Sequence, residues 1–272
     1  MIHTLVAVVF DWAGTMIDFG SRAPVEALQA VFAAEGLDLA EADARRDMGV
    51  AKRDHVAAIL GYPPVRAAWT AAKGAAPGEP DIDRIYQALE VAMPPAAARH
   101  AELIPGAAAA AAAVRARGGK IGSNTGYTRA MMADILPRAA EQGYAPDVLV
   151  CAGETATGRP SPLMLWKVLV ELGAWPAEAC VKVDDAPVGI AEGRAAGCWT
   201  VGLAGSGNEM GLSAEAYGAL TPAERKLRLE GAGRVMRAAG ADFVIPTVAE
   251  LIPVLDIIEQ RRAAGLRPGA PA

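Results

Sequence analysis

Several acidic, basic and hydroxyl side chains follow apolar runs of the 272-residue chain, at positions where a sheet would gather them. The runs are typical of strands buried on both faces, and in an open parallel sheet ligands bind beyond the carboxyl ends of the strands. The side chains at these positions are Asp11, Ser123, Thr125, Arg159, Asp184 and Asp185.

This set of side chains suits phosphoryl transfer. Carboxylates around one crevice repel one another unless a cation lies among them, and oxygen ligands without His or Cys favour Mg²⁺. The arginine and the hydroxyls would bind a tetrahedral oxyanion. We therefore predict a Mg²⁺-dependent reaction that passes through an aspartyl-phosphate on Asp11.

The elements that position these residues alternate between strands and helices. The predicted strands are 5–10, 120–123, 147–151, 180–183, 200–203 and 243–245. The predicted helices 106–117, 161–172 and 188–196 end beside glycines, which commonly terminate helices. The alternation predicts an α/β fold with a doubly wound parallel sheet and right-handed crossovers.

The strand pattern disappears between residues 20 and 103. Helical spacing marks 23–35, 47–60 and 81–92, with a Pro-, Gly- and Ala-rich connection before the last of these. We therefore predict an all-helical domain, 20–103, inserted after the first strand of an α/β core formed by 1–19 and 104–265. The remaining residues, 266–272, are rich in Gly, Pro and Ala and are predicted to be a flexible tail.

Composition excludes several classes of function. The net charge of −5 argues against a basic surface for nucleic acid, and no apolar stretch is long enough to span a bilayer. The three cysteines lack CxxC spacing and, with only three histidines, suggest neither a zinc site nor a disulfide framework. We expect a cytoplasmic protein with no nucleic-acid or membrane partner.

The polar residues form four groups along the chain, namely Asp11, Ser123 with Thr125, Arg159, and Asp184 with Asp185. These groups resemble the signature motifs of the haloacid dehalogenase superfamily, and the resemblance covers the whole chain. It implies that 20–103 is a cap domain and that Ala13 offers its backbone carbonyl to the metal. One form of the superfamily's last motif is Gly-Asp with a second Asp four residues later. In this chain Asp185 matches the first Asp, Asp184 replaces the glycine, and Gly189 replaces the second Asp. Asp185 is therefore expected to bind the metal directly, and Asp184 either directly or through water.

Three segments, 10–15, 48–56 and 122–129, more closely resemble the phosphonoacetaldehyde hydrolases of this superfamily. These enzymes split a C–P bond to give acetaldehyde and phosphate in 2-aminoethylphosphonate degradation. The resemblance implies that Lys52 of the cap forms a Schiff base with the aldehyde. It also implies a homodimer through the cap helices, for which we expect the apolar side chains between Val25 and Phe32 to provide part of the surface.

The cleavage of a C–P bond explains why an amine is needed. A carbanion is too basic to leave, but a protonated imine beside it accepts the electron pair as an enamine. Met48, Lys52 and His55 share one face by helical spacing. Apolar neighbours on this face, and the like charge of Arg53, would lower the pKa of Lys52 toward the nucleophilic amine.

The remaining site residues are assigned to substrate binding. We expect Arg159, Thr125 and Gly126 to hold the phosphonyl oxygens of a small phosphonate. Ser123, Tyr127 and Met48 would line the same pocket. His55 either relays protons during imine formation or only packs against its neighbours.

Two other functions compete with this prediction. A capped phosphatase or phosphomutase for a small phosphate ester would share the core, but most such phosphatases carry an acid where this chain has Ala13. A non-catalytic scaffold would not require Asp11, Arg159 and the Asp184-Asp185 pair, all of which are present.

Overall fold

A computed structural model describes residues 5–270 of the protein, which contain one six-stranded sheet. The strands are β1 (Ala7–Phe10), β2 (Lys120–Thr125), β3 (Val148–Cys151), β4 (Cys180–Asp184), β5 (Trp199–Leu203) and β6 (Phe243–Ile245). All pairings are parallel, in the order β3-β2-β1-β4-β5-β6. The predicted α/β fold with a doubly wound parallel sheet is confirmed.

Twelve α-helices lie within the described residues, and six of them lie between β1 and β2 along the chain. They are α1 (Ala23–Ala34), α2 (Glu41–Arg45), α3 (Lys52–Gly61), α4 (Pro63–Lys73), α5 (Glu79–Arg99), α6 (Ala107–Ala116), α7 (Ile135–Glu141), α8 (Leu163–Leu172), α9 (Pro187–Ala196), α10 (Ala214–Gly218), α11 (Pro222–Ala238) and α12 (Leu251–Ala263).

Apolar clusters cover both faces of the sheet. Successive side chains of a strand point to opposite faces, so β1 contributes to both clusters. In β1, Val8 and Phe10 belong to the apolar cluster that also contains residues of α6 and α12. Ala7 and Val9 belong to a second cluster, built largely on α8. Every residue of β1, β4 and β5 is buried, which explains why the sequences of these strands are mostly apolar.

The five helices α1–α5 pack mainly on one another. α1 lies along α5, and Val25, Leu28, Val31 and Phe32 are buried there. The prediction that these side chains form part of a dimer surface is therefore wrong, since they belong to the interior of the same chain.

Two predictions in this region need correction. The connection predicted before residue 81 contains helix α4, which begins at Pro63, buries Val65 and Trp69 one turn apart, and ends at Gly74 in the left-handed conformation. α3 begins at Lys52 rather than at residue 47, because the preceding turn includes Gly49 at φ +99°, a conformation incompatible with a helix.

No helix within residues 5–270 combines the length and the hydrophobicity needed to span a bilayer. Of the predicted tail, residues 271 and 272 lie outside the described part of the chain. Within 266–270, the backbone N–H of Gly269 donates to Asp242 Oδ1 at 2.6 Å.

Candidate active site

The carboxyl ends of three neighbouring strands meet at the candidate active site. β1 pairs with β2 on one side and with β4 on the other along its whole length. Asp11 follows β1, Thr125 ends β2, and Asp184 ends β4 with Asp185 directly after it. The parallel register therefore brings these residues to one edge of the sheet, as the sequence predicts.

Three buried carboxylates form a compact cluster at this edge. One oxygen from each of Asp11, Asp184 and Asp185 lies within 4.8 Å of the others. Burial, with repulsion from Asp184, raises the pKa of Asp11 to about 6 against the opposing charges of Arg159 and Lys182. Burial and the charges of Asp11 and Asp184 raise the pKa of Asp185 well above its usual value. An all-oxygen cluster of this kind fits a hard divalent cation, which would allow the carboxylates to ionise together.

The guanidinium of Arg159 connects Asp11 to the sheet. Its Nη1 lies 2.8 Å from Asp11 Oδ1, and its Nη2 donates to the Asn124 carbonyl at 2.7 Å and to Asn124 Oδ1 at 2.8 Å. Its Nε lies 3.1 Å from Glu192 Oε2. These buried, charge-assisted contacts orient the carboxylate of Asp11.

Lys182 and Glu192, to which the sequence analysis assigned no role, support this arrangement. Both side chains are fully buried. Lys182 Nζ lies 3.0 Å from Asp184 Oδ2 and 3.5 Å from Glu192 Oε2, and Asn124 Nδ2 donates to Glu192 Oε1 at 2.8 Å. The sequence did contain a signal for this network. Lys182 lies in a strand predicted to be buried on both faces, and a buried lysine requires a partner of opposite charge.

Asp185 is oriented by residues that sequence reasoning also missed. The backbone N–H of Asn208 donates to Asp185 Oδ2 at 2.8 Å, and Thr15 Oγ1 donates to Asp185 Oδ1 at 3.5 Å. Neutral hydrogen-bond donors therefore orient the carboxylate of Asp185, whereas Asp184 forms an ion pair with Lys182.

Lys52 lies opposite the carboxylates, at the first position of α3. It is 3% exposed, its Nζ lies 3.7 Å from Met48 Sδ, and it is 5.4 Å from the centre of the Tyr127 ring. Burial lowers the pKa of Lys52 to about 8, with Arg159 acting in the same direction and Asp11 and Asp185 opposing. The partial positive charge of a helix N-terminus also disfavours the ammonium form.

The prediction that Arg53 contributes to this shift is wrong. Its side chain is 41% exposed and pairs with Glu79 at 2.7 Å and with Asp83 at 2.7 Å, on the outer side of α3. The like charge that lowers the pKa of Lys52 is that of Arg159.

One cavity of about 20 Å³ brings most of the predicted site residues together. Those that line it are Asp11, Ala13, Met48, Lys52, Thr125, Gly126, Tyr127, Arg159 and Asp185. The inserted segment and the core lie close together at Gly126, where an added Cβ would lie 2.7 Å from the carbonyl oxygen of Val50. The volume is close to the space that one water molecule requires.

Ser123 and His55 are not among the residues that line this cavity. Ser123 lies two residues before the end of β2 and donates its hydroxyl to the Phe10 carbonyl at 2.7 Å, within the sheet. His55 is buried behind Lys52, and burial together with the charge of Lys52 lowers its pKa to about 3, so the imidazole is neutral at physiological pH.

The arrangement combines a buried carboxylate at the end of β1, a place for a cation and an amine with a lowered pKa. The carboxylate and the cation suit attack on a phosphorus atom, while the amine suits condensation with a carbonyl group. A substrate that uses both needs an oxyanion and a carbonyl close together in one small molecule.

Comparisons with known proteins point to one family. A family model described as haloacid dehalogenase-like hydrolase matches residues 5–197. The phosphonoacetaldehyde hydrolase of Paraburkholderia phytofirmans is 47% identical over 262 residues, which cover 96% of this chain and 98% of that protein. The crystal structure of a phosphonoacetaldehyde hydrolase-like protein from Oleispira antarctica is similar with a TM-score of 0.96 and 41% identity, covering 98% of this chain and 97% of that one.

The same fold occurs in proteins with little sequence similarity. A putative β-phosphoglucomutase from Bacteroides vulgatus is similar with a TM-score of 0.65 at 18% identity, covering 94% of this chain and 89% of that one. This likeness concerns the fold alone.

Proposed function

The chain belongs to the phosphonoacetaldehyde hydrolases of the haloacid dehalogenase-like hydrolase family, and we propose that it cleaves its substrate through an imine on Lys52 and a phosphoryl group on Asp11. Such an enzyme converts phosphonoacetaldehyde and water into acetaldehyde and phosphate. The observation that carries the proposed route is the buried amine of Lys52 in the same cavity as the carboxylate of Asp11.

The reaction begins with the condensation of the Lys52 amine and the aldehyde, which releases water. Asp11 Oδ then attacks phosphorus, and the electron pair of the C–P bond passes into the protonated imine to form an enamine. Water hydrolyses the aspartyl-phosphate and releases phosphate. Protonation of the enamine at carbon, followed by hydrolysis of the resulting imine, releases acetaldehyde and restores the amine.

Mg²⁺ is the metal proposed for the carboxylate cluster. Asp11, Asp185 and the backbone carbonyl of Ala13 would hold it, and the buried all-oxygen cluster with its raised pKa values supports this choice. When bound, the cation supplies positive charge that keeps Asp11 ionised and offsets the charge on the transferred phosphoryl group. Because Asp184 pairs with Lys182 at 3.0 Å, we propose that it acts through water rather than as a direct ligand.

The other side chains of the cavity bind and orient the substrate. We assign the phosphonyl oxygens to Arg159, Thr125 and the backbone of Gly126, and the aldehyde end to the space between Met48 and Tyr127. His55 is neutral, so it acts as a relay only through its uncharged imidazole. Its burial behind Lys52 supports the alternative role of keeping the surroundings of the amine apolar.

Ala13 distinguishes this function from that of a phosphatase. A methyl group donates no proton, so an alkoxide would leave unassisted, whereas the leaving group of the proposed reaction is a neutral enamine that stays attached to Lys52. We also retain as proposals a cap formed by 20–103, a homodimer formed through cap helices, and a cytoplasmic location, which the three buried free cysteines support.

The test is covalent trapping. Borohydride added with phosphonoacetaldehyde and Mg²⁺ is expected to attach the two-carbon unit to Lys52, as located by peptide mass spectrometry. Lys52→Arg should prevent both trapping and acetaldehyde release in an alcohol-dehydrogenase-coupled assay. Lys226→Arg, at a 79% exposed side chain, is the matched control and should change neither.

Wild-type turnover by Lys52→Arg would overturn the imine step. Faster release of phosphate from p-nitrophenyl phosphate than from phosphonoacetaldehyde would favour a phosphatase instead.

A further inference from the structure

We propose that Arg45 is a positioning residue. It holds the segment that carries Lys52 against the core, so that the Lys52 amine faces Asp11. This inference rests on the proposed function only in taking Lys52 as the reacting amine. It concerns a contact between α2 and the loop 204–211, outside the cavity described above.

The guanidinium of Arg45 reaches from the last residue of α2 to the start of the insertion and to the loop 204–211 of the core. Its Nη1 donates to the Gly20 carbonyl at 2.9 Å and to Asn208 Oδ1 at 3.3 Å, and its Nη2 donates to the Gly211 carbonyl at 3.2 Å. The side chain is only 14% exposed. Arg45 lies seven residues before Lys52, so it anchors the segment that leads directly into α3.

Asn208 also donates a hydrogen bond to Arg45. Its Nδ2 donates to the backbone carbonyl of Arg45 at 3.0 Å, while its backbone N–H donates to Asp185 at 2.8 Å. One asparagine therefore joins the inserted helices to a carboxylate of the acidic cluster. The position of Lys52 and the orientation of Asp185 depend on the same loop.

The loop that receives Arg45 is itself firmly held. Ser206 Oγ donates to the Gly14 carbonyl at 2.8 Å, and the Gly20 N–H donates to the Ser206 carbonyl at 2.7 Å. Its packing is close, because a Cβ on Gly207 would lie 2.4 Å from Asp185 Cβ and one on Gly211 would lie 3.0 Å from Arg45 Nε. Arg45 therefore binds a surface that does not adjust easily.

The size of the cavity explains why such a contact matters. With a volume of about 20 Å³, the cavity holds little more than a water molecule, and in this proposal the substrate enters when the insertion moves away from the core. Movement of α2 away from loop 204–211 breaks the contacts of Arg45 with Asn208 and Gly211. Because these hydrogen bonds involve a partly buried charge, they favour the closed arrangement in which Lys52 faces Asp11.

The experiment compares the chemical accessibility of two buried lysines in the Mg²⁺-supplied enzyme. N-acetoxysuccinimide labels free amines, and mass spectrometry gives the rate for each lysine. Lys52 becomes accessible when the insertion opens, whereas Lys182, fully buried in β4, becomes accessible only when the core unfolds. This measurement requires no turnover, so it can fail independently of the proposed function.

Arg45→Ala is expected to raise the labelling rate of Lys52 by roughly tenfold and to leave that of Lys182 unchanged. The matched control is Arg46→Ala, because Arg46 pairs with Asp43 at 2.9 Å and covers the Tyr62 ring without reaching loop 204–211. Asn208→Ala, which keeps the backbone donor to Asp185, should raise Lys52 labelling too, and the double variant should add little more.

Kinetics give a second measurement. Arg45→Ala should lower kcat/KM and the rate of borohydride trapping by a similar factor, while the trapped residue stays Lys52. Unchanged Lys52 labelling in folded Arg45→Ala would overturn the proposal. A parallel rise for Lys52 and Lys182 would also overturn it, since it would show a general loss of stability.

Discussion

Asp184 fills the space that any side chain at Gly189 would occupy. A Cβ built on Gly189 would lie 2.0 Å from Asp184 Oδ2 and 2.1 Å from its Cγ. In the other form of the superfamily's last motif, a carboxylate extends from this helical position. Here the second carboxylate comes from the last residue of β4, and the glycine of α9 makes room for it.

Gly189→Ala should therefore reduce both stability and activity. The added methyl group must displace a buried carboxylate that pairs with Lys182, and overpacking of this kind costs about 1–3 kcal/mol. Thermal unfolding and a Mg²⁺ titration of acetaldehyde release measure the two effects.

The control for that variant is Gly231→Ala in α11, where the nearest atom to an added Cβ is 3.9 Å away. Alanine at this open helical position should stabilise the protein by up to about 1 kcal/mol and leave turnover unchanged. Equal effects of the two substitutions would contradict the assigned crowding at Gly189.

The pH dependence of imine formation should follow the lowered pKa of Lys52. Only the neutral amine condenses with the aldehyde, so the trapping rate rises with pH and levels off above the pKa. That pKa is about 8 and falls further when a cation neutralises Asp11 and Asp185, because these carboxylates are what raise it. Borohydride trapping between pH 5 and 10 measures the profile. A trapping rate that still rises without levelling off at pH 10, as the ordinary lysine value of 10.5 would give, would show that the amine is solvated in the reacting enzyme.

Ala13→Asp should exchange one activity for another. The carboxyl group supplies the proton donor that an alkoxide needs, but it also adds negative charge beside Asp11 and Asp185 in a small cavity. We expect phosphonoacetaldehyde turnover to fall by roughly tenfold or more and p-nitrophenyl phosphate turnover to rise relative to it. Ala13→Asn has a similar size and donates no such proton, so it should lower the first rate without raising the second.

Glu192→Gln should destabilise the core. Glu192 balances Arg159 at 3.1 Å and Lys182 at 3.5 Å, and breaking a buried ion pair costs about 3–5 kcal/mol. Urea unfolding measures the loss, and Glu230→Gln, in an exposed pair 3.9 Å from Lys226, is the control with an expected effect below about 1 kcal/mol. A Glu192→Gln variant as stable as its control would mean that the network contributes little.

The strands were predictable because burial on both faces produces short apolar runs that end at polar residues. The predicted and observed bounds of β3 and β4 differ by a single residue at one end. Asp11, Lys52 and Arg159 were predicted as site residues because they stand in motifs, and the structure places all three around one cavity. Their geometry still required the register of the sheet and the fold of the helical insertion.

The network behind these residues was not predictable in the same way. Lys182 and Glu192 are ten positions apart and meet only because α9 packs on β4. Arg45 and Asn208 are separated by 163 positions, and neither stands in a recognisable motif. α4 was missed because its Ala- and Pro-rich sequence resembles a connection, and only the burial of Val65 and Trp69 reveals the helix.

The close approach of Val50 to Gly126 limits how the two parts of the chain can evolve. The carbonyl of Val50 in the inserted segment approaches Gly126 at the end of β2, at a distance that leaves no room for a Cβ. A graft of this insertion onto a related core would therefore need a glycine at the position of Gly126. The two parts are separable along the chain but are not interchangeable modules, and chimaeras should inherit substrate choice only when both walls come from one parent.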